Sequence, residues 1–386
     1  MSPKRTIAVV STSRADYSHL VWVLRELRAR PELQPRLIVT GAQLAEEFGH
    51  GADEIDADGF PIDERVECLL DSDSDVGMAK TIGIATLGLA EVLGRMRPDL
   101  LLLLADRYEL LAPAAVALAL RVPIAHIEGG EVSEGAIDDA VRHALTKLSH
   151  LHFTPTESAR RRVLGLGEEA WRVHRTGAPS LDHLRRSELL SAAGLAAALG
   201  GPVDPRAVLV AIHPVTIARE TLREADAVFA ALEQLRRPIE FCFPNADAGG
   251  RELIRRAERF CVARAEARLH VNLNPRVYWS LLRAVALMLG NSSSGIMETP
   301  ALELPTVNVG LRQQGRERAR NVLDAPAETA AILATVERAL DPGFRAALSG
   351  MANPYGDGHA AERIAAVLVE TPLGERLLHK RALPMG

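Results

Sequence analysis

Cysteine is scarce in this sequence, with three residues among 386. Cys68, Cys242 and Cys261 lie far apart and form no C-x-x-C pair. Their number and spacing argue against a disulfide-stapled fold and against a structural zinc site. We therefore expect a cytoplasmic protein, kept in a reducing compartment, that holds no metal.

An excess of positive charge is also missing. The 45 lysines and arginines are outnumbered by 50 aspartates and glutamates, so the net charge is −5. This balance favours neither nucleic acid nor an anionic membrane surface as a partner. Any anionic ligand must be held by local donors.

Long uninterrupted apolar segments are absent as well. The apolar part of the amino-terminal "TIAVVST" is too short for the core of a signal peptide. The apolar stretch 110–127 is interrupted by Pro113, Arg121 and Pro123, which favours a helix followed by a strand over a membrane span. We expect no membrane partner.

What the sequence does contain is a regular alternation of short apolar runs with amphipathic segments. A continuous apolar run is typical of a parallel strand covered on both faces, and each following segment has helical spacing. The runs predicted as strands are 6–12, 35–41, 99–105, 123–129, 207–214, 240–247, 267–274, 285–293 and 305–310. Together with the chain length, they predict an α/β fold of two Rossmann-like, doubly wound domains.

The alternation pauses over 185–205, a stretch rich in alanine, glycine and proline that carries no predicted strand. We place the junction there, which gives an amino-terminal domain over 1–190 and a carboxy-terminal domain over 191–365. Residues 366–386 form a tail. The amphipathic pattern of 359–382 predicts that this end of the chain packs back near the junction.

Polar residues of unusual kind follow four of the predicted strands, at the edge where open parallel sheets bind ligands. The first group is "STSRADYSHL", where Arg14 and the N–H groups of a helix that begins near Asp16 or Tyr17 form a candidate anion site. The alternative is an ordinary helix start capped by Asp16 or Ser18. This turn has no G-x-G-x-x-G fingerprint of dinucleotide binding.

The second group is "LLLLADRYELL", where Asp106 directly follows a leucine-rich strand. A partly desolvated carboxylate at that edge is a candidate acid or base. Capping of the next helix explains the same residue equally well.

The third group is "HIEGGEVSEGAIDDAVRH" (126–143), which holds five carboxylates. Gly129 and Gly130 let the chain turn sharply and leave Glu128 at the end of the strand. A solvated acidic loop and a divalent-metal site are the alternatives to a catalytic role.

The carboxy-terminal part of this third group is predicted to be helical over 136–149. Spacing of four residues then pairs Asp138 with Arg142, and Asp139 with His143. Asp138 lies in the first turn, where the helix dipole favours its ionised form. Carboxylates in settings as different as those of Glu128 and Asp138 suit paired acid and base roles.

The fourth group comes from the second half of the chain. His213 ends one strand, Asn245 follows the next, and Arg312 and Arg316 follow a later one. Between them, a strand-to-helix turn offers hydroxyl and N–H donors for an oxyanion, from Asn291, Ser292, Ser293, Ser294 and Gly295. We favour phosphate binding over a plain serine-rich linker, with the two arginines as further donors.

Several segments together resemble one enzyme family. They are "SRADYSHL", the stretch 106–153, "HPVT" (213–216), "PNAD" (244–247), "GNSSSGIMETP" (290–300) and "NPYGDGHAAERI" (353–364). In register and over about residues 6 to 365, they resemble the hydrolysing UDP-N-acetylglucosamine 2-epimerases of sialic-acid-type sugar pathways.

The resemblance implies a glycosyltransferase-B-like fold with the active site in the cleft between two domains. It implies conversion of UDP-N-acetylglucosamine and water to N-acetylmannosamine and UDP, by anti elimination to 2-acetamidoglucal and syn hydration. No metal or nicotinamide cofactor takes part in such a reaction. A homodimer or homotetramer is expected, with the UDP-sugar and UDP as the only small-molecule partners.

The resemblance also assigns roles to individual residues. Asp106, Glu128 and Asp138 would be the catalytic carboxylates, and His213 would meet the leaving diphosphate. The residues that would hold the substrate are Arg14, Ser18, Arg107, Glu131, Arg142, Asn245, Ser292, Ser293, Ser294, Gly295, Arg312 and, on the ribose hydroxyls, Glu298.

One position departs from the family pattern. In "VTGAQLAEEFG", Gln43 stands where the family usually shows histidine. A UDP-2,4-diacetamido-2,4,6-trideoxyhexose, of the kind used for legionaminic-type acids, is therefore an alternative substrate. A UDP-sugar-dependent glycosyltransferase and a non-catalytic UDP-sugar sensor are the alternatives from other functional classes.

Overall fold

The computed structural model describes residues 4–45, 51–70, 74–134, 136–215, 222–243 and 250–381. The chain divides into two compact units. Unit 1 contains Met1–Glu131, Asp138–Asp182 and Tyr355–Gly386, and unit 2 contains Val132–Ile137 and His183–Pro354. Unit 2 thus ends before the predicted domain boundary at 365, because the last helices belong to unit 1.

Unit 1 is built on a seven-stranded sheet in which all strand pairs are parallel. Its strands are β1 (Arg5–Ser11), β2 (Leu33–Thr40), β3 (Glu64–Val66), β4 (Leu100–Leu104), β5 (Ile124–Ile127), β6 (Leu151–Thr154) and β7 (Val173–Arg175). The spatial order is β3-β2-β1-β4-β5-β6-β7, so the direction of winding reverses between β1 and β4.

Unit 2 repeats the same plan with a six-stranded parallel sheet. Its strands are β8 (Val208–Ala211), β9 (Ile239–Phe243), β10 (Ala267–Val271), β11 (Leu287–Gly290), β12 (Thr306–Val309) and β13 (Val322–Ala325). The order β10-β9-β8-β11-β12-β13 puts the reversal between β8 and β11. The two sheets confirm the predicted pair of doubly wound domains.

Helices connect the strands and cover both faces of each sheet. The helices of the described residues are α1 (Arg14–Ala29), α2 (Gly51–Ala57), α3 (Asp75–Met96), α4 (Leu111–Leu120), α5 (Asp138–Leu148), α6 (Glu157–Gly165), α7 (Asp182–Arg186), α8 (Ala192–Leu199), α9 (Arg223–Gln234), α10 (Gly250–Ala263), α11 (Pro275–Ala284), α12 (Ser294–Met297), α13 (Thr329–Leu340), α14 (Pro342–Ala347), α15 (Ala360–Glu370) and α16 (Glu375–Leu378). Because helices bury both faces, a central strand such as β4 consists of five leucines that are all buried.

The start of α1 differs from the prediction. The helix begins at Arg14, and its cap is Ser13, whose hydroxyl accepts the N–H of Asp16. Asp16 is not the cap, because its carboxylate turns back to accept hydrogen bonds from the N–H and hydroxyl of Thr12. The Ser18 hydroxyl donates to the carbonyl of Ala15 inside the helix, at 2.7 Å, so Ser18 is not the N-cap either.

Helix α3 is long and apolar enough, by composition alone, to match a membrane span, and a single such helix is weak evidence. One face of α3 packs into unit 1 through Ala85, Leu89, Val92 and Leu93. This packing is that of a layer helix covering a sheet.

The carboxy-terminal helices pack on the core of unit 1. Side chains of α15 share a cluster with those of α1, and both oxygens of Asp182 accept N–H groups at the start of α15. Arg172 donates to the carbonyls of Arg376, Leu377 and His379, and thereby fixes the segment after α15. The predicted return of the chain end is thus a docking onto unit 1.

Buried histidines predict that acid destabilises unit 1. Burial lowers the pKa of His126 and of His150 from 6.5 to about 4. Because the unfolded chain protonates these groups first, stability is highest above pH 6.5 and falls as the pH drops toward 4. Each histidine contributes a loss on the order of 2 kcal/mol.

His150→Asn tests this expectation, since an amide oxygen can still accept the Ile124 N–H that His150 Nδ1 accepts at 3.1 Å. Urea unfolding at pH 7 and pH 4.5 should show a smaller loss of stability for the variant than for the parent chain. Equal losses in the two proteins would contradict the assignment.

Candidate active site

The candidate residues of unit 1 lie at the carboxyl ends of β1, β4 and β5, beside the reversal of the sheet. This is the edge at which doubly wound sheets bind ligands. Arg14 follows β1, Asp106 follows β4, and Glu128 follows β5. Since β1, β4 and β5 are neighbours in the sheet, unit 1 brings these three positions to one edge.

Asp106 is held by a buried arginine. The guanidinium of Arg142 contacts the carboxylate of Asp106, and Arg142 is only 1% exposed. Nη1 of Arg142 also lies 3.5 Å from Asp139. A buried guanidinium needs a carboxylate partner, so this pair fixes the orientation of Asp106.

The capping alternative for Asp106 is wrong. A short 3-10 turn begins after Arg107, and no side chain caps it. The predicted spacing within α5 is confirmed for one pair, since His143 Nε2 lies 3.4 Å from Asp139. Asp138 is the first residue of α5 and is half-buried.

Glu128 occupies a strained backbone position directly after β5. Its φ of 63° is in the left-handed region, which costs a non-glycine residue about 1 kcal/mol or more. The side chain is buried, and His19 Nδ1 lies 3.1 Å from its carboxylate. Gly130 completes the turn, because a Cβ there would lie 2.3 Å from the Ala159 carbonyl.

His19 was missed by the sequence reasoning although it lies inside a recognised segment. Ser18 was predicted as a possible helix cap because serine suits a helix start. His19 is one position further along α1, and only the folded sheet brings it to the end of β5. No local pattern in the sequence predicts this contact.

Glu131 is the last residue of unit 1 before the chain enters unit 2. Its buried carboxylate accepts hydrogen bonds from the hydroxyls of Tyr355 at 3.2 Å and Thr156 at 3.5 Å. It therefore ties the acidic loop to the carboxy-terminal segment of unit 1.

Two arginines at this edge are paired with glutamates. Nε of Arg14 donates to Glu54 at 3.1 Å, and Nη2 of Arg107 donates to Glu109 at 3.2 Å. Burial raises the pKa of Glu109, and the Arg107 guanidinium opposes that rise. Both arginines keep part of their side chains accessible, at 21% and 19%.

In unit 2, Asn291 organises the carboxyl ends of β8 and β11. Its side chain accepts the N–H of His213 at 2.7 Å and donates to the His213 carbonyl at 2.9 Å. Its own carbonyl accepts from Arg312 at 3.1 Å and from Gln313 at 2.9 Å. The preceding residue, Gly290, must be glycine, because a Cβ there would lie 2.0 Å from the Ala211 carbonyl oxygen.

Several groups of the serine turn after β11 form hydrogen bonds within unit 2. The N–H of Gly295 donates to the Ser292 carbonyl, and the Ser294 hydroxyl donates to Glu298 at 2.6 Å while accepting from Tyr278. Gly295 is required by packing, since a Cβ would lie 2.9 Å from Thr306. The Ser292 hydroxyl accepts the N–H of Ser294 at 3.4 Å.

Arg316 was predicted to be a further donor to the anion, but its contacts lie elsewhere. Its three guanidinium nitrogens contact the carbonyl of Val132, the hydroxyl of Ser133 and the sulfur of Met297, all within unit 2. It therefore anchors the middle of the acidic loop. Asn245 lies outside the described residues.

Asn291→Ala should destabilise unit 2 by about 2 to 3 kcal/mol, because it removes both side-chain bonds to the backbone of His213. Urea unfolding measures the change. Asn308→Ala is the matched control, since Asn308 is also buried at a strand but makes its bond to the side chain of Asp324. The prediction fails if both variants lose the same amount.

Comparison with known proteins gives one consistent family. A family model for UDP-N-acetylglucosamine 2-epimerase matches residues 25–369. A hydrolysing UDP-N,N'-diacetylbacillosamine 2-epimerase from Legionella pneumophila is 35% identical over 97% of this chain and 98% of its own. A hydrolysing GDP/UDP-N,N'-diacetylbacillosamine 2-epimerase from Campylobacter jejuni is 34% identical over 83% of this chain and 84% of its own.

A solved structure agrees in fold. The UDP-N-acetylglucosamine 2-epimerase of Neisseria meningitidis, bound to UDP-N-acetylglucosamine, matches with a TM-score of 0.80 at 18% identity. The match covers 95% of this chain and all of that one (100%). Sequence and fold thus confirm the resemblance over nearly the whole length, and the chain belongs to the UDP-N-acetylglucosamine 2-epimerase family.

Proposed function

We propose that this protein is a hydrolysing 2-epimerase of UDP-2-acetamido sugars. The reaction removes the proton at C2 and expels UDP from C1, which gives a 1,2-unsaturated sugar. Water then adds its oxygen to C1, and a proton returns to C2 on the opposite face. The products are UDP and the free sugar with inverted C2, and no external oxidant, metal or cofactor is needed.

One observation carries this proposal: two carboxylates, the buried Glu128 and the partly buried Asp106, stand at the ends of neighbouring strands, each with a fixed partner. Asp106 is held by Arg142, and Glu128 lies against His19. The C2 proton is weakly acidic, so its removal requires a positioned base, and its return requires a positioned acid. Asp106, Glu128 and Asp138 are the groups that we assign to these proton transfers.

Unit 2 supplies the groups that we assign to UDP. Loss of a diphosphate leaving group needs donors that are in place before the bond breaks. We assign His213, the Ser292 and Ser293 hydroxyls, and Arg312 to the diphosphate, and Glu298 to the ribose hydroxyls. The backbone of His213 and the guanidinium of Arg312 are both bonded to Asn291, which supports their acting on one ligand.

We propose UDP-N,N'-diacetylbacillosamine as the preferred sugar and UDP-N-acetylglucosamine as the second candidate. The two relatives at 34% and 35% identity carry the former substrate in their names. The departure at Gln43 from the usual histidine points the same way. The free product would be a 2,4-diacetamido-2,4,6-trideoxy sugar with inverted C2.

Incubation with each UDP-sugar alone in D2O tests the function. NMR should show UDP and a free sugar with inverted C2 that carries deuterium at C2. A glycosyltransferase would need an acceptor, and a sensor would bind without turnover. Product that contains only hydrogen at C2 would contradict proton removal there.

Asp106→Asn and Glu128→Gln should each lower kcat by about 100-fold or more, because each removes an acid–base group. Asp204→Asn is the control, since the Asp204 carboxylate bonds to the backbone N–H and the exposed side chain of Arg206 in unit 2. Rates of the site variants close to that of the control would refute the assigned roles.

We also propose that the protein acts as a homo-oligomer in the cytoplasm. Its three cysteines are free thiols, as a reducing compartment allows. Among the described residues, Val76, Ile84 and Leu87 of α3 and Leu118 of the adjoining α4 are exposed large hydrophobic side chains. A clustered apolar helix face of this kind is typical of an interface between copies.

Leu87→Lys should lower the mass measured by size-exclusion chromatography with light scattering, because it places a charge on the most exposed apolar side chain of α3, at 73%. Val262→Lys is the control: Val262 is 90% exposed on α10. An unchanged mass for Leu87→Lys would exclude this face as the interface.

A further inference from the structure

A buried histidine lies beneath the two candidate carboxylates, and the reaction does not use it. His126 is on β5, between the turn that carries Asp106 and the turn that carries Glu128. It is fully buried, at 0% exposed. Its Nε2 lies 2.7 Å from the carbonyl of Ala105, and its Nδ1 lies 3.3 Å from the hydroxyl of Thr146.

The first contact fixes the residue before Asp106. Ala105 has a φ of 60°, a left-handed conformation that a residue with a Cβ adopts only when its surroundings impose it. Its N–H donates to the Ile127 carbonyl at 2.9 Å, and its carbonyl accepts from His126. Both polar groups of Ala105 are thus tied to β5, and they set the direction in which Asp106 leaves the strand.

The second contact reaches the partner of Asp106. The hydroxyl of Thr146 lies 2.9 Å from the carbonyl of Arg142, one turn earlier in α5. The Arg142 guanidinium contacts Asp106. The contacts therefore close a ring that runs from His126 through Ala105, Asp106, Arg142 and Thr146 back to His126.

The same two side chains also support the turn of Glu128. A Cβ at Gly129 would lie 3.0 Å from His126 Nδ1 and 3.1 Å from the Thr146 hydroxyl. The backbone after Glu128 therefore rests directly on His126 and Thr146, which explains glycine at this position.

The imidazole in this ring is neutral. Nε2 carries the proton because it faces a carbonyl, so Nδ1 is left as an acceptor. The single proton of the Thr146 hydroxyl is then shared between His126 Nδ1 at 3.3 Å and the Arg142 carbonyl at 2.9 Å. Burial lowers the pKa of His126 to about 4, which keeps it neutral near pH 7. The ionisable groups around it are Glu128, His143 and His152.

We propose that His126 and Thr146 are positioning residues that set the geometry of Asp106, Arg142 and Glu128 for catalysis. The inference rests on the proposed 2-epimerase function and extends it to two residues that touch no reacting atom. A displacement of about 1 Å at a catalytic group can cost roughly 100-fold in rate. The pair should therefore affect turnover more than substrate binding.

Thr146→Val and Thr146→Ser separate positioning from packing. Valine keeps the shape and loses the hydroxyl, so kcat should fall about 10- to 100-fold with KM changed less than about 3-fold. Serine keeps the hydroxyl and loses a buried methyl, so kcat should stay within about 3-fold of the parent although the thermal midpoint falls. A purely structural role predicts the opposite order of activities.

His126→Gln and His126→Asn provide the second measurement. A glutamine amide can place an N–H where Nε2 stands, whereas asparagine is too short to reach the Ala105 carbonyl. We expect kcat to fall in the order parent, His126→Gln, His126→Asn.

The outcomes separate the two proposals. If the parent turns over a UDP-sugar and Thr146→Val matches its kcat within about 2-fold, the positioning role is overturned and the function stands. If the parent turns over neither UDP-sugar, the proposed function fails, and this inference fails with it.

Discussion

The contact between Arg142 and Asp106 is the interaction on which the arrangement of unit 1 depends. A guanidinium that is 1% exposed cannot be left without a carboxylate, because an unpaired buried charge costs several kcal/mol. Folding of α5 against the end of β4 therefore requires Asp106 to turn inward to Arg142. The left-handed backbone of Ala105 lies at this turn, between β4 and Asp106.

In unit 2 the corresponding buried polar group is the neutral side chain of Asn291. Asn291 is fully buried, and its amide replaces a missing strand contact by bonding both backbone groups of His213. Its carbonyl accepts hydrogen bonds from Arg312 and Gln313. Asn291 therefore connects the turn after β11 to the end of β8 and to the segment after β12. A neutral amide suits this place because it can donate and accept without burying a charge. Under the proposed function, the charged groups of unit 1 would serve the proton transfers, and the hydrogen-bond donors of unit 2 would serve the diphosphate.

The sequence predicted those parts of the fold that are set by local pattern. Continuous apolar runs such as Leu100–Leu104 identify central parallel strands, because burial on both faces removes any alternation. Short strands such as Glu64–Val66 and Val173–Arg175 escaped prediction because three residues carry no periodicity. At the site, strand ends pointed to Asp106 and Glu128, but their partners did not follow from spacing. Arg142 and His19 reach these carboxylates only through the order of strands in the sheet, which no local pattern encodes.

Gln43 is connected to the candidate site through its neighbours. Gln43 is fully buried, and its Nε2 donates to the Gly51 carbonyl at 2.8 Å, at the first residue of α2. From the same helix, Glu54 accepts a hydrogen bond from Arg14. The contacts thus connect position 43, through the start of α2, to an arginine at the end of β1. We propose that the departure from histidine changes the shape of the substrate site rather than removing a polar contact to the sugar.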